Sequence, residues 1–227
     1  MVWLQGQYLI HLKNKILETG NNSNTTLDFK LVAVKCKNCD SGLVVEVNDN
    51  ITYCTSCGSG FEIIDGELIP IEINFASPAM RGNGEPVYRP FWLLKTTVTI
   101  LERNASGNFF KNLFGSNNPT GSGSVMFYIP AFYCSLDNMK VLAQEFTMKN
   151  PVASPQKFNT KLVGFAYGKE DAKKLAEFVL ISMEAEKSDM MKTFKYNIDF
   201  HSLEIIGIPF YKISENRYKD AILGIEI

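Results

Sequence analysis

The chain of 227 residues is long enough to bury a core. Its composition, with 45% hydrophobic and 21% charged residues, excludes disorder over most of the chain. A net charge of −1 provides no overall attraction to nucleic acid or anionic lipid. The opening "MVWLQGQYLIHLKNKILETG" has neither the basic start of a signal peptide nor an unbroken apolar run. We therefore expect a cytoplasmic protein.

The first third of the chain divides into three predicted parts. Residues 1–28 are expected to form an N-terminal helix and a polar loop, because apolar residues recur near helical spacing before Gly20 and "NNSNTT". Residues 29–73 hold most of the cysteines, with strand candidates at 29–35, 43–47 and 61–64. Residues 74–86, rich in Gly, Pro, Asn and Ser, are predicted to be a linker.

Four of the five cysteines form two C-x-x-C pairs, Cys36/Cys39 and Cys54/Cys57. Zn²⁺ prefers four such ligands in a tetrahedron. The segment between Cys39 and Cys54 is long enough for a strand, a turn at "VNDN" and a second strand. Gly58, directly after the second pair, suits a left-handed backbone position, and Asp40 takes the matching place after the first pair.

Residues 35–64 resemble the zinc-ribbon family, in which two C-x-x-C knuckles on β-hairpins hold one zinc ion. The resemblance implies that Cys36, Cys39, Cys54 and Cys57 are the ligands of one structural Zn²⁺. The family includes transcription factors, ribosomal proteins, enzymes and adaptors, so the resemblance does not choose a function. Asp40 departs from the pattern, since glycine is commoner there.

The sequence alone leaves other roles for the same four cysteines open. A rubredoxin-like iron site also has two C-x-x-C pairs, but these normally lie farther apart and carry a proline. A thioredoxin-like redox site needs a βαβ setting and one pair. Two disulfides need an oxidising compartment.

The charge around the cysteines bears on the partner. Between Cys36 and Glu72 there is one basic residue, Lys37, against seven acids. A ribbon that meets phosphates is expected to present Lys and Arg. The acidic composition therefore favours docking to a basic protein surface, or to the second domain, over nucleic-acid binding through the ribbon.

Residues 87–227 predict an α+β domain with an antiparallel sheet and two helices. Long strands are expected at 87–103 and 125–135, with a shorter one at 162–167, and the C-terminus is predicted to form strand, turn at "SENR" and strand. The first helix is expected to begin near Ser135 or Asp137. The second is expected from about 169 to 187, with apolar residues at near-perfect helical spacing.

A proline followed closely by aromatic residues occurs three times, at Pro90, Pro130 and Pro209. Since proline cannot donate to a strand ladder, each is predicted to mark a strand start, an edge or a bulge. The aromatic residues are interpreted as anchors of one core. A groove for a partner peptide and a duplicated unit are the alternatives.

The loop at 104–124 contains Phe109, Phe110, Leu113 and Phe114 between glycine-rich flanks. Apolar side chains in a long loop either fold back on the sheet or form a tip for peripheral contact with a protein or membrane.

Candidate catalytic residues are few. Cys134 lies at a strand-to-helix junction, where a helix N-terminus lowers a thiol pKa. Asp199 and His201 are two residues apart and would share one face of a strand, as a general-base pair requires. A buried thiol and a turn histidine are the simpler interpretations.

Together these patterns predict a zinc-binding adaptor that works through protein–protein contacts and is not an enzyme. A nucleic-acid-associated factor of the transcription or replication type is the first alternative. An enzyme with its site near Cys134 or Asp199/His201 is the second. The partner and the oligomeric state are not encoded in any motif.

Overall fold

The computed structural model describes residues 34–45, 49–104, 120–151, 162, 164–184 and 193–227. In these ranges the chain forms two sheets and two helices, which confirms the predicted α+β class. The small sheet consists of β1 (Ile51–Tyr53), β2 (Gly60–Ile64) and β3 (Glu67–Ile71). The other elements are β4 (Ile73–Phe75), β5 (Val87–Asn104), β6 (Gly121–Pro130), α1 (Leu136–Lys149), α2 (Lys169–Glu184), β7 (Thr193–Ser214) and β8 (Arg217–Asp220).

The large sheet is built around two long strands, β5 and β7, which pair antiparallel from Val87 with Phe210 to Asn104 with Thr193. Strand β6 pairs antiparallel with the other side of β5, as the sequence predicts. On the free side of β7, β4 pairs parallel and β8 pairs antiparallel at successive positions. The predicted C-terminal strand, turn and strand are thus β7 and β8.

Neighbouring side chains of β5 point to opposite faces of the large sheet and enter two separate buried clusters. Trp92 and Leu94 are buried in a cluster with the alanines and Leu180 of α2. Phe91 is buried in a second cluster with Leu142 and Phe146 of α1. Ser135 caps α1 by accepting a hydrogen bond from the Asn138 amide, as predicted.

One aromatic residue after each proline joins a common core, which confirms the prediction in part, whereas Trp92 lies in the other cluster and Tyr133 is exposed. Phe91, Phe132 and Phe210 are fully buried, and their ring centroids lie 5.7 to 6.4 Å apart in edge-on and stacked pairs. Phe146 of α1 adds a fourth ring, 5.3 Å from Phe91. Rings at these separations add attraction beyond the burial of their area.

Two of the three prolines lie within strands and not at strand starts, and neighbouring strands explain how. The amide and carbonyl of one residue point to the same side of a strand. The carbonyl of Pro90 accepts from Ala131, just beyond the end of β6. The carbonyl of Pro209 accepts from Ala221, just beyond the end of β8. The missing N–H of each proline therefore faces a position where the neighbouring strand has ended.

The cysteine module, defined as residues 34–45 and 49–71, packs directly against the large sheet. One face of its sheet carries Ile51 and Tyr53, which belong to the same buried cluster as Trp92. The Tyr53 ring meets the Phe75 ring of β4 edge-on at 5.3 Å. A single residue, Glu72, separates β3 from β4, and its carbonyl accepts a hydrogen bond from Ile205 of β7.

Several predictions concern residues outside the described ranges or differ from what is observed. The N-terminal helix in 1–28 and the apolar loop with Phe109, Phe110, Leu113 and Phe114 lie outside the described residues. The strand predicted at 162–167 is wrong for its described residues: Leu162 forms one isolated bridge with Tyr88, and 164–167 are irregular. Strand β4 crosses the boundary predicted between the segments 29–73 and 74–86. The division of the chain into domains stays a prediction.

Among the described parts of the chain, neither α1 nor α2 combines the length and apolarity needed to cross a bilayer.

Gly60 tests how closely the cysteine module is packed on the sheet. A Cβ there would overlap the Ile73 side chain and lie 2.9 Å from the Ile71 carbonyl oxygen, whereas a Cβ at Gly42 would meet nothing within 4 Å. Gly60→Ala is expected to lower the free energy of unfolding by about 1–3 kcal/mol, as overpacking does. Gly42→Ala, at the matching place after the first cysteine pair, is the control. Equal effects in denaturant titrations would contradict this packing.

Candidate metal centre

The two C-x-x-C segments fold into the same turn. In the first, the Cys36 amide donates to the Ser41 carbonyl and the Asp40 amide donates to the Cys36 carbonyl. In the second, the Cys54 and Gly58 amides make the corresponding bonds, with both lengths at 2.8 Å. Backbone bonds of this kind hold the two sulfurs of each turn on one side of it.

The left-handed residue that each turn requires is where the sequence predicts it. Gly58 has φ of 76° and Asp40 has φ of 60°. Glycine takes this conformation without steric cost, and Asp tolerates it better than most residues. Asp40 also forms a 3.0 Å ion pair with Lys35 at the surface. The departure from glycine at this position is therefore accommodated by the fold.

All four predicted ligands converge on one point. The Sγ atoms of Cys36, Cys39, Cys54 and Cys57 lie within 4.8 Å of one another. Two separations between the turns are 3.6 Å for Cys36 to Cys57 and 3.5 Å for Cys39 to Cys54. Both are far longer than a disulfide bond of about 2.05 Å. The cysteines are free thiols arranged so that one metal ion can contact all of them.

The four sulfurs differ in exposure according to their place in the turn. Cys36 and Cys54, the first of each pair, are buried, while Cys39 is exposed and Cys57 is intermediate. The buried sulfurs join a small apolar cluster with Val34, Leu43, Val45, Phe61 and Leu68. The site therefore has an inner side closed by this cluster and an outer side at the surface.

The surroundings of the thiols shift their pKa values in opposite directions. Burial raises the pKa of Cys36 to about 12. The Ser59 hydroxyl, 3.2 Å from the Cys57 sulfur, lowers the pKa of Cys57 to about 5. Ser41 lowers the pKa of Cys39 in the same way, at 3.3 Å. Since a metal binds thiolates, the outer sulfurs would bind an ion more readily, and Cys36 would have to release its proton to join them.

Ser41 and Ser59 were not identified from the cysteine spacing, although the sequence holds the signal. The two knuckles read "CKNCDSG" and "CTSCGSG", so each has a serine two residues after its second cysteine. Comparison of the two knuckles with each other would have singled out this pair.

The other predicted candidates occupy separate places. Cys134 is half-buried, and burial raises its pKa, whereas a helix N-terminus was expected to lower it. His201 Nε2 lies 2.8 Å from the Thr97 hydroxyl, and Asp199 accepts a hydrogen bond from Asn197. Each of the two side chains thus engages a different partner, and the described contacts do not join them into a pair.

No protein-family model, curated protein or solved structure matches the chain significantly, so these comparisons add nothing to what its own geometry shows.

The left-handed positions give a matched pair of variants. Gly58→Val places a β-branched side chain at positive φ and is expected to cost about 1–3 kcal/mol, with weaker metal binding. Asp40→Gly restores the residue that this conformation favours and is expected to leave both properties nearly unchanged. Chelator competition measures the metal affinity, and denaturant titration measures the free energy of unfolding. A metal affinity unaffected by Gly58→Val would contradict the role of this turn.

Proposed function

We propose that the four cysteines hold one zinc ion. The observation that carries the proposal is the convergence of four sulfur atoms within 4.8 Å. Zn–S bonds of about 2.3 Å in a tetrahedron place the sulfurs about 3.8 Å apart. Two of the sulfur separations, 3.5 and 3.6 Å, are close to this value before any ion is added. A set of four thiolates also suits zinc better than the oxygen-preferring metals.

The proposed role of the ion is structural. Four cysteine ligands complete a tetrahedron around the metal and leave no position for a substrate or a reactive water. The apolar cluster around Cys36 and Cys54 is small, and three short strands with so little core are marginal alone. Metal binding would supply the missing folding free energy of the cysteine module.

Zinc binding is tested on the purified protein by elemental analysis. We expect about one zinc per chain. Cys36→Ser or Cys54→Ser is expected to abolish this and to lower the melting temperature, because three thiolates bind the ion far less tightly. Cys134→Ser, remote from the cluster, is the control and is expected to keep the full zinc content. Stoichiometric iron with a red colour would contradict the assignment.

We further propose that the cysteine module is the docking site for a protein with a basic surface. Its hairpin of β2 and β3 has exposed residues around the turn that joins the two strands. On one face the register places Ile64 opposite Glu67, and Ile69 opposite Glu62. Both isoleucines are exposed, at 47% and 40%. Two aliphatic side chains and two carboxylates thus alternate on an open surface.

The charge of this surface supports a basic protein more than a nucleic acid. Asp65 at the hairpin turn adds a third carboxylate beside Glu62 and Glu67, and none of the three is ion-paired among the described residues. Phosphates would be repelled by these groups. Exposed aliphatic side chains beside acids fit a partner segment that alternates Lys or Arg with apolar residues.

The docking surface is tested by affinity isolation from the native organism. The double variant Ile64→Ser/Ile69→Ser is expected to weaken retention of the partner by about tenfold or more, through lost burial of apolar area. Glu67→Lys reverses a charge on this surface and is expected to weaken retention of the partner further. The retention that remains is expected to depend less on salt concentration.

The matched controls lie on another part of the molecule. Ile213 is as exposed as Ile64, at 47%, and Glu215 is exposed beside it. Ile213→Ser and Glu215→Lys are expected to retain the partner fully. Equal retention by the hairpin variants and by these controls would refute the assignment of the surface. Salt-dependent binding of mixed nucleic acid, unaffected by Glu67→Lys, would favour the nucleic-acid alternative instead.

A further inference from the structure

Arg89 of β5 is surrounded by aromatic rings on the face of the large sheet that carries Phe91. Its guanidinium carbon lies 4.4 Å from the centre of the Tyr218 ring, 4.8 Å from that of Phe132 and 5.8 Å from that of Phe210. Ring faces attract a cation and cover the flat faces of the guanidinium, but they accept no conventional hydrogen bond from its edge. The hydrogen-bonding edge of Arg89 must be satisfied by something else.

No such partner is found among the described residues. The Nε atom of Arg89 is buried and has no hydrogen-bond acceptor. No described carboxylate forms an ion pair with the group. A buried donor without an acceptor is destabilising, and more so when it carries charge. This is a cost for a residue whose role is only to pack.

The buried acid on the same side of the sheet is already engaged. Asp220, in the strand that carries Tyr218, accepts hydrogen bonds from the amides of Ile222, Leu223 and Ile225 at 2.5 to 2.9 Å. The neighbouring Arg217 is paired with Glu226 at the surface. Among the described arginines near this strand, Arg89 is the one whose charge is left without an anion.

We propose that Arg89 is the centre of a binding site for an oxyanion, either a free phosphate or the carboxylate of a ligand. A guanidinium presents a planar fork that matches both groups in a bidentate manner, and charged hydrogen bonds of this type are about twice as strong as neutral ones. The rings of Phe132, Phe210 and Tyr218 hold the fork in place, so little side-chain freedom is lost on binding. Arg89 as a whole is half-buried although its Nε is enclosed, so an ion would approach the guanidinium from the part of the residue that is open to solvent.

The site lies beside the start of α1. The chain runs from Phe132, which covers the guanidinium, through Cys134 to the capping residue Ser135 and the first turn of the helix. The N-terminal end of a helix favours a negative charge nearby. This site is separate from the four cysteines and from the hairpin of β2 and β3, so its failure would leave the proposed zinc site and docking surface unaffected.

The site is tested by following the Nε–H resonance of Arg89 by NMR in the full-length, zinc-loaded protein. The resonance is assigned by its absence in Arg89→Lys. Titration with inorganic phosphate, and separately with acetate, is carried out at constant ionic strength with chloride as the balancing ion. A saturable shift of this resonance with either anion is expected, and the anion that gives it identifies the source of the oxyanion.

Variants provide an independent readout through the melting temperature. The anion that binds is expected to raise the melting temperature of the wild type, and Arg89→Lys, which keeps the charge but loses the fork, is expected to bind about tenfold more weakly. Arg217→Met, which removes an exposed arginine, is the control and is expected to respond like the wild type. No saturable shift with either anion, or an equal shift with chloride alone, would overturn the proposal and leave Arg89 as a packing residue.

Discussion

The pairing of β5 with β7 is the constraint on which the rest of the fold depends. These two strands run beside each other from Val87 with Phe210 to Asn104 with Thr193, and every other strand of the large sheet is attached to one of them. Because neighbouring residues of β5 point to opposite faces, this one pairing also divides the core into a cluster beneath α2 and an aromatic cluster beneath α1.

The cysteine module is connected to this framework through its core and not only through its chain. Ile51 and Tyr53 lie in the strand that leads into Cys54, and both are buried in the cluster that contains Trp92. Order in the metal centre and order in the large sheet are therefore coupled by direct packing. An ion that holds Cys54 in place also holds the strand before it against the sheet, so its stabilising effect reaches beyond its four ligands.

The sequence predicts those features that depend on local chemistry. The convergence of the four cysteines, the left-handed positions at Asp40 and Gly58 and the cap at Ser135 follow from spacing and from backbone preferences. The union of Phe91, Phe132 and Phe210 in one core followed from their shared pattern after proline. For these features the nearest few residues contain the physical cause.

Features that depend on distant residues could not be predicted in this way. The parallel pairing of Ile73 to Phe75 with β7 joins residues more than 130 positions apart, and no local pattern encodes it. Pro90 and Pro209 sit inside strands because other strands end beside them, which a rule about one strand does not foresee. The thiol pKa of Cys134 follows burial, a tertiary property, where its position at the start of a helix suggested the opposite shift.

The junction at Glu72 has a consequence for recognition. Strands β3 and β4 are separated by this one residue, and its carbonyl accepts a hydrogen bond from Ile205 of β7. A module on a flexible tether would sample many orientations, and a bound partner would lose part of its binding free energy to the ordering of that tether. Here the short junction at Glu72 restricts the orientation of the cysteine module before any partner binds. Whatever binds the hairpin of β2 and β3 is held at a fixed angle to the large sheet, so the module can set the orientation of a partner as well as its position.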